Sequence, residues 1–162
     1  MPDSSAAYVA LGSNLDDPEA QVERGFAALA ALPGTQLAAR SRLYRTPPWG
    51  VMEQPAFVNA VVALETSLAP RELLSALLAI EARAGRVRGV RYGPRTLDLD
   101  LLLYGDCELR EAGLTIPHPR LQERAFVLLP LADIAPGLNI PGQGRVDDLL
   151  ARTDASGCIA LD

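Results

Sequence analysis

The order of strand-like and helix-like segments is the feature that most constrains the fold of this chain. Apolar segments bounded by turn residues predict four strands, over 6–14, 35–46, 56–66 and 96–105. Helices are predicted to begin near Pro18 and near Pro70, where proline and an acidic residue occupy the first turn. The order strand, helix, strand, strand, helix, strand is typical of the ferredoxin-like α/β (α+β) fold, an antiparallel sheet with both helices on one face. The tail, 106–162, is predicted to add short C-terminal strands and helices to a single domain spanning 1–162.

Composition narrows the classes of function. The chain has 162 residues, of which 49% are apolar and 22% charged, as in globular domains with a buried core. Its net charge of −5 argues against a general nucleic-acid or membrane binder. The N-terminal segment "MPDSSAAYVALGSN" lacks a basic region and a long apolar run, so we expect a cytoplasmic protein. Cys107 and Cys158 have no metal-ligand spacing and are expected to be reduced thiols.

Two carboxylates interrupt the apolar segment "TLDLDLLLYG" at Asp98 and Asp100. Residues two apart on a strand project to the same face. We therefore expect Leu97, Leu99 and Leu101 to pack on the helices and both carboxylates to lie on the open face. A pair of adjacent carboxylates favours a cation between them, and hard oxygen ligands suit Mg²⁺. An isolated Asp-x-Asp pair is more often a solvated strand face. The choice between a solvated face and a cation site therefore depends on the neighbouring segment.

That neighbouring segment, 83–95, reads "RAGRVRGVRYGPR" and contains five arginines and no acidic residue. Its spaced glycines indicate flexibility. All 15 basic residues of the chain are Arg, which genome composition can explain, but Arg also forms the forked contacts that phosphate groups favour. A flexible cationic segment that leads into paired aspartates is the arrangement a polyphosphate substrate with Mg²⁺ needs. The sequence therefore predicts phosphate chemistry at this strand.

Two further positions have both a structural and a functional interpretation. Phe57 and Asn59 share a strand face, where an aromatic ring and an amide can stack on and hydrogen-bond a planar heterocycle. Taken alone, Phe57 is more often a core residue. His118, the only histidine, stands between two prolines and precedes Arg120 and Arg124. A lone histidine is usually structural, but here phosphate binding is also open.

Six blocks of the chain resemble one enzyme family when taken together and in order: "ALGSN", "YRTPPWG", "QPAFVNAVVALET", "GRVR", "YGPRTLDLDLLLYG" and "LTIPHPRLQERAFVLLPLADIAP". They are similar to the 6-hydroxymethyl-7,8-dihydropterin pyrophosphokinases of folate biosynthesis, from about residue 7 to residue 150. The resemblance implies a ferredoxin-like core and transfer of pyrophosphate from MgATP to the substrate's hydroxymethyl group, with AMP as a product. It implies ATP and the pterin as partners, neither nucleic acid nor membrane, and we expect a monomer.

The resemblance also implies roles for individual residues. Asp98 and Asp100 match the aspartates that bind two Mg²⁺ ions, and Arg86 and Arg95 match arginines credited with catalysis. The nucleotide-site positions are Glu81, Arg88, Tyr92, Thr115, His118 and Arg124. The pterin-pocket positions are Thr46, Pro47, Trp49, Phe57, Asn59 and Phe126.

Some positions depart from the family pattern. Phe57 stands where many members have Tyr, and Tyr92 where Trp is common. Leu78 replaces a Gln that some members have near the nucleotide, and the loop at 89–91 is about one residue short. These changes affect the expected nucleotide contacts and leave the expected activity in place.

Two other classes of protein are compatible with the same strand order. A regulatory ligand-binding module can use this fold, but it has no need of paired aspartates beside five arginines. An RNA-binding sheet of the RRM type needs central aromatics and a basic charge, whereas this chain has 5% aromatics and a charge of −5. Calorimetry with MgATP and with an oligonucleotide would separate the three classes.

Overall fold

The structure is a computed structural model that describes residues 4–15, 17–47, 55–85 and 96–161. The first part of the chain contains β1 (Ser5–Ser13), α1 (Pro18–Ala30), β2 (Thr35–Arg40), β3 (Tyr44–Thr46), β4 (Phe57–Thr66), α2 (Pro70–Arg83) and β5 (Asp98–Tyr104). The tail contains β6 (Leu109–Glu111), β7 (Leu114–Ile116), a 3₁₀ turn (Leu121–Glu123), α3 (Ala125–Ile134), β8 (Asn139–Ile140), β9 (Gly144–Arg145), α4 (Val146–Ala151) and β10 (Ile159–Ala160). Among the described residues, no helix is long and apolar enough to span a bilayer.

The main sheet has the strand order β10-β3-β4-β1-β5, with β2 also paired to β4, and every pairing is antiparallel. This confirms the predicted ferredoxin-like fold class. The predicted strand over 35–46 is in fact two strands. Arg40 pairs with Val62 and Tyr44 with Asn59, so the intervening segment holds one extra residue. The Ser41 hydroxyl fills the break, because its Oγ accepts the Val61 N–H at 2.9 Å.

Both helices begin where the sequence predicts. Pro18 opens α1, and the Asp17 side chain accepts a hydrogen bond from the Ala20 N–H. Pro70 opens α2, and Glu72 Oε1 accepts from the Ala69 N–H at 2.8 Å. These local hydrogen bonds satisfy donors that have no partner within the helix, which is why short sequence signals suffice to locate both starts.

The sheet is buried on both faces over part of its area. Leu97, Leu99 and Leu101 belong to the core beneath α1 and α2, as predicted. A second apolar cluster lies on the opposite face, where β1, β4 and β5 meet α3 and α4 through Ala10, Val61, Leu102, Leu103, Val127, Leu128, Leu131, Val146 and Leu149. The face predicted to be open is therefore partly covered, because the C-terminal helices carry enough apolar surface to pack there.

A polar contact attaches α3 to β3. The Tyr44 hydroxyl donates to Asp133, with 2.7 Å to Oδ2, and Arg42 Nη2 donates to the same hydroxyl at 2.8 Å. Burial, reinforced by Asp133, raises the pKa of Tyr44 to about 12. The phenol therefore stays neutral and keeps donating, so α3 is held on the face that carries the two aspartates.

Candidate active site

Three adjacent strands align Asn59, Gly12 and Asp98 in one cross-strand row. Gly12 on β1 is the register partner of Asn59 on β4 and, on its other side, of Asp98 on β5. Cross-strand partners project to the same face of a sheet. That face is the one on which Val61 and Ala10 meet α3. The amide and the first carboxylate therefore stand on either side of a residue that has no side chain.

Asp98 and Asp100 are both partly buried and lie on the predicted face of β5. Asp100 Oδ2 is 3.9 Å from Nη1 of Arg124, whose side chain is only 12% exposed. Within the described residues no group of three or more His, Cys, Asp or Glu side chains converges. Two carboxylates with access to solvent suit a hard cation that takes its other ligands from water and phosphate oxygens, so these residues fit Mg²⁺.

A buried carboxylate holds the backbone between the two aspartates. Glu81 lies near the end of α2, is 3% exposed, and accepts the Leu99 N–H at its Oε2 atom at 2.7 Å. Charged acceptors form stronger hydrogen bonds than neutral ones. The resemblance assigns Glu81 to the nucleotide site, and the structure shows that its carboxylate also secures the strand that carries both aspartates.

On the other side of the row, Asn59 is oriented by Thr46. Its Nδ2 atom donates to Thr46 Oγ1, and the two side chains are 8% and 1% exposed. Among the described residues this is the one hydrogen bond that the amide makes. Phe57 is partly exposed two residues before Asn59, and Pro47 is exposed directly after Thr46. The amide therefore keeps donor and acceptor capacity beside an accessible aromatic ring.

The start of α3 places Arg124 beside Asp100 and also beside Phe126, a second predicted residue. Arg124 precedes the helix, and its guanidinium carbon lies 5.6 Å from the centre of the Phe126 ring in the first turn. Phe126 is partly buried against the second apolar cluster. Arg124 thus links the carboxylate face of β5 to a residue assigned to the pterin pocket.

His118 is held next to β5 as a neutral ring. Its backbone N–H donates to the Leu102 carbonyl at 3.0 Å, and its Nδ1 accepts from the Arg120 N–H at 3.2 Å. Burial, with added repulsion from Arg124 and Arg120, lowers the pKa of His118 to about 4. The proton of the neutral ring is therefore on Nε2, which can donate to a phosphate oxygen. Thr115 lies nearby in sequence on β7, partly exposed.

This low pKa predicts a pH-dependent stability. Since the pKa is about 4 in the folded protein and 6.5 as the reference value, the unfolded chain binds the extra proton between these values. Stability should rise with pH across this window and be lost as the pH falls through it, by about 1–3 kcal/mol in all. His118→Gln should remove this component in urea denaturation measured from about pH 7 to about pH 4.5. An unchanged pH profile would contradict the assignment.

Five of the predicted site residues lie outside the described part of the chain: Trp49, Arg86, Arg88, Tyr92 and Arg95. Their roles stay predictions. Of the others, the structure brings together Asp100, Arg124 and Phe126 through successive contacts, and Asn59 with Thr46. Asp98 lies two residues before Asp100 on the same strand.

Sequence reasoning did not assign a role to two residues of the "ALGSN" block. Asn14 is 2% exposed, and its Nδ2 donates to the Pro55 carbonyl at 3.0 Å, which anchors the chain just before β4. Gly12 stands in the centre of the row described above. The "ALGSN" block was the feature of the sequence that could have identified both residues. A glycine and an asparagine in a turn, however, normally indicate only the turn.

Comparisons with known proteins agree with this arrangement. Residues 8–136 match the sequence profile of a family described as 7,8-dihydro-6-hydroxymethylpterin-pyrophosphokinase. A 2-amino-4-hydroxy-6-hydroxymethyldihydropteridine pyrophosphokinase of Pseudomonas aeruginosa is 52% identical, over 93% of this chain and 93% of that protein. One of the same name from Methylorubrum extorquens is 49% identical, over 93% of this chain and 95% of its own length.

Solved structures support the fold. A Plasmodium falciparum HPPK-DHPS structure with pteroate matches with a TM-score of 0.73 and 14% identity, over 94% of this chain. The match spans only 43% of that longer chain, and at this identity it speaks for the fold alone. The family assignment rests on the sequence matches. They cover most of the chain, and about half of the aligned residues are identical in the two relatives. By these matches, the chain belongs to the 7,8-dihydro-6-hydroxymethylpterin-pyrophosphokinase family.

Proposed function

We propose that this chain transfers a pyrophosphoryl group from MgATP to the hydroxymethyl group of 6-hydroxymethyl-7,8-dihydropterin, in the biosynthesis of tetrahydrofolate. The observation that carries the proposal is the row Asn59, Gly12, Asp98. It sets an amide suited to a heterocycle two strands away from carboxylates suited to a metal–phosphate complex. Relatives with about half their residues identical carry a name for this activity.

The pterin end of the site is assigned to Thr46, Pro47, Trp49, Phe57, Asn59 and Phe126. Thr46 holds the Asn59 amide in one orientation, so that its remaining donor and acceptor face the heterocycle already aligned. The exposed part of Phe57 offers a flat surface for stacking. Preorganised groups of this kind favour one heterocycle, because a ligand without matching polar atoms would leave the amide unpaired.

The phosphate end is assigned to Asp98 and Asp100, with Arg86, Arg88, Arg95, Tyr92, Thr115, His118 and Arg124. We infer that the two aspartates hold two Mg²⁺ ions, which neutralise phosphate charge when bound. Arg124, 3.9 Å from Asp100, adds positive charge at the same place. His118 is neutral and offers its Nε2–H, so it orients a phosphate oxygen by hydrogen bonding without adding net charge.

The transfer is a displacement at the β-phosphorus of ATP. The substrate's hydroxymethyl oxygen forms a new bond to that phosphorus while the bond to the bridging α–β oxygen breaks, and AMP leaves with the bond's electron pair. The hydroxyl proton passes to solvent or to an aspartate. The chain's contribution is to align the two substrates and stabilise phosphate charge, which accounts for most catalysis in phosphoryl transfer.

The direct test is to incubate the protein with 6-hydroxymethyl-7,8-dihydropterin and MgATP and to separate the nucleotides. AMP should appear in equal amount to the pterin consumed, and only when both substrates are present. ADP in place of AMP would mean transfer of one phosphoryl group and would overturn the proposal. Binding of an oligonucleotide, or of MgATP without turnover, would favour the RNA-binding or the regulatory alternative.

Asn59→Ala should weaken pterin binding by about 10–100-fold, equivalent to about 1–3 kcal/mol for an unpaired polar group. ATP binding should change little, because the amide lies two strands away from β5. Calorimetry with each substrate would measure both. Thr46→Val removes only the hydroxyl that orients the amide, and Thr46→Ser keeps it, so the first should lose part of the affinity and the second little. Equal losses for pterin and ATP would contradict the assignment.

We also propose that the enzyme is a monomer in the cytoplasm. We expect it to bind neither nucleic acid nor membrane, because its net charge is −5. Light scattering at several protein concentrations would reveal a dimer.

A further inference from the structure

Among the described residues of the site, Gly12 is a glycine with no room for a side chain, because Asn59 already occupies the space where its Cβ would lie. A Cβ added to Gly12 would lie 2.6 Å from Asn59 Oδ1, and next closest are Asn59 Cγ at 3.7 Å and Phe57 Cδ2 at 3.8 Å. A separation of 2.6 Å is far below van der Waals contact, so the amide and a methyl group cannot share this space. Gly12 itself is buried, in keeping with the amide lying over it.

The surrounding contacts leave the amide no easy way to move aside. On the side away from Gly12, its Nδ2 donates to Thr46 Oγ1, and Thr46 is 1% exposed. The backbone of Gly12 is paired with β4 on one side and β5 on the other, so β1 cannot retreat. An alanine at this position would therefore rotate the amide and break its bond to Thr46.

We propose that Gly12 is a positioning residue for substrate selection: its missing side chain leaves the space that the Asn59 Oδ1 atom occupies over β1, the strand between Asn59 and Asp98. This inference rests on the proposed function. Neighbouring strands are separated by about 4.8 Å, so Asn59 and Asp98 stand about 9–10 Å apart. Strand spacing sets this span, and the glycine leaves no side chain between the heterocycle-binding amide and the metal-binding pair.

The test is a double-mutant cycle of Gly12→Ala and Asn59→Ala, with pterin and ATP affinities measured by calorimetry. Gly12→Ala should weaken pterin binding at least tenfold and leave ATP affinity unchanged. In the Asn59→Ala background the same change should have almost no effect, because Phe57 at 3.8 Å is an ordinary contact. Unchanged pterin affinity in Gly12→Ala, or an additive loss in the double variant, would overturn the inference.

Gly25→Ala is the matched control. Its Cβ would lie 2.7 Å from Leu11 Cδ2, a clash of the same size in the core beneath α1. It should lower the melting temperature without a selective loss of pterin affinity, and the same selective loss would refute a specific role for Gly12. If Gly12→Ala alone fails to fold, the double variant carries the test: it should fold with the Tm of Asn59→Ala, and its failure to fold would overturn the inference.

The wild-type protein is assayed first for AMP formation. Absence of AMP would refute the proposed function, whereas AMP formation with normal pterin binding in Gly12→Ala would refute only the inference about Gly12. The two failures are therefore distinguishable.

Discussion

Asp98→Ala and Asp100→Ala are each expected to lower turnover by about 10³-fold or more, equivalent to about 4 kcal/mol of transition-state stabilisation. Both carboxylates lie on the side of β5 opposite Leu99 and Leu101, so the main core loses nothing when either is removed. Without one of them, the phosphates of ATP would keep charge that the site can no longer neutralise.

The measurements are kcat, the affinity for Mg²⁺ and the melting temperature of each variant. Asp106→Ala is a suitable control, since Asp106 is exposed just beyond the other end of β5 and should change none of them. Asp100→Ala should cost slightly more stability than Asp106→Ala, because it also removes the carboxylate 3.9 Å from the largely buried Arg124. Near-wild-type turnover in either aspartate variant would rule out the metal assignment.

Arg86→Ala and Arg95→Ala are expected to lower kcat by about 10²-fold or more, with a smaller change in ATP affinity. Contacts made only in the transition state appear in kcat, whereas contacts kept throughout binding appear in KM. We expect the larger effect at Arg86, which lies in the glycine-spaced segment "GRVRGVRYG". Arg95 is closer in sequence to β5 and is expected to contribute more to binding ATP in the ground state.

Steady-state kinetics with ATP varied at saturating pterin would separate the two contributions. Arg→Lys variants should not recover full activity, because an ammonium group lacks the forked geometry of a guanidinium. Arg71→Ala is the matched control: it removes an arginine whose Nε bonds to Glu111 on the surface, at 3.0 Å. A rise in KM for ATP with unchanged kcat in both variants would show that these arginines only bind the nucleotide.

Much of the chemistry could be predicted because it depends on short-range patterns. The two-residue period of a strand is enough to place Asp98 and Asp100 on one face and Leu97, Leu99 and Leu101 on the other, and the structure agrees. The helix starts at Pro18 and Pro70 depend on hydrogen bonds within one turn. Such features need no knowledge of what packs against them.

Other features depend on contacts between residues far apart in sequence. Gly12, Asn59 and Asp98 come into one row only through the register of three strands, and no hairpin turn joins β1 to β4 or to β5 to fix that register. Glu81 bonds to the Leu99 backbone because α2 packs beside β5. The ring of His118 is neutral because burial and two arginines act on it together.

By itself, then, the sequence determined the fold class, the family and the residue types of the site, since these follow from periodicity, turn chemistry and motifs in order along the chain. Only the tertiary structure decided which of those residues face one another. It covered part of the predicted open face with α3, and it set the Asn59 amide into the space left by Gly12. The physical reason is that side-chain orientation follows from long-range packing and strand register, whereas element order follows from local interactions.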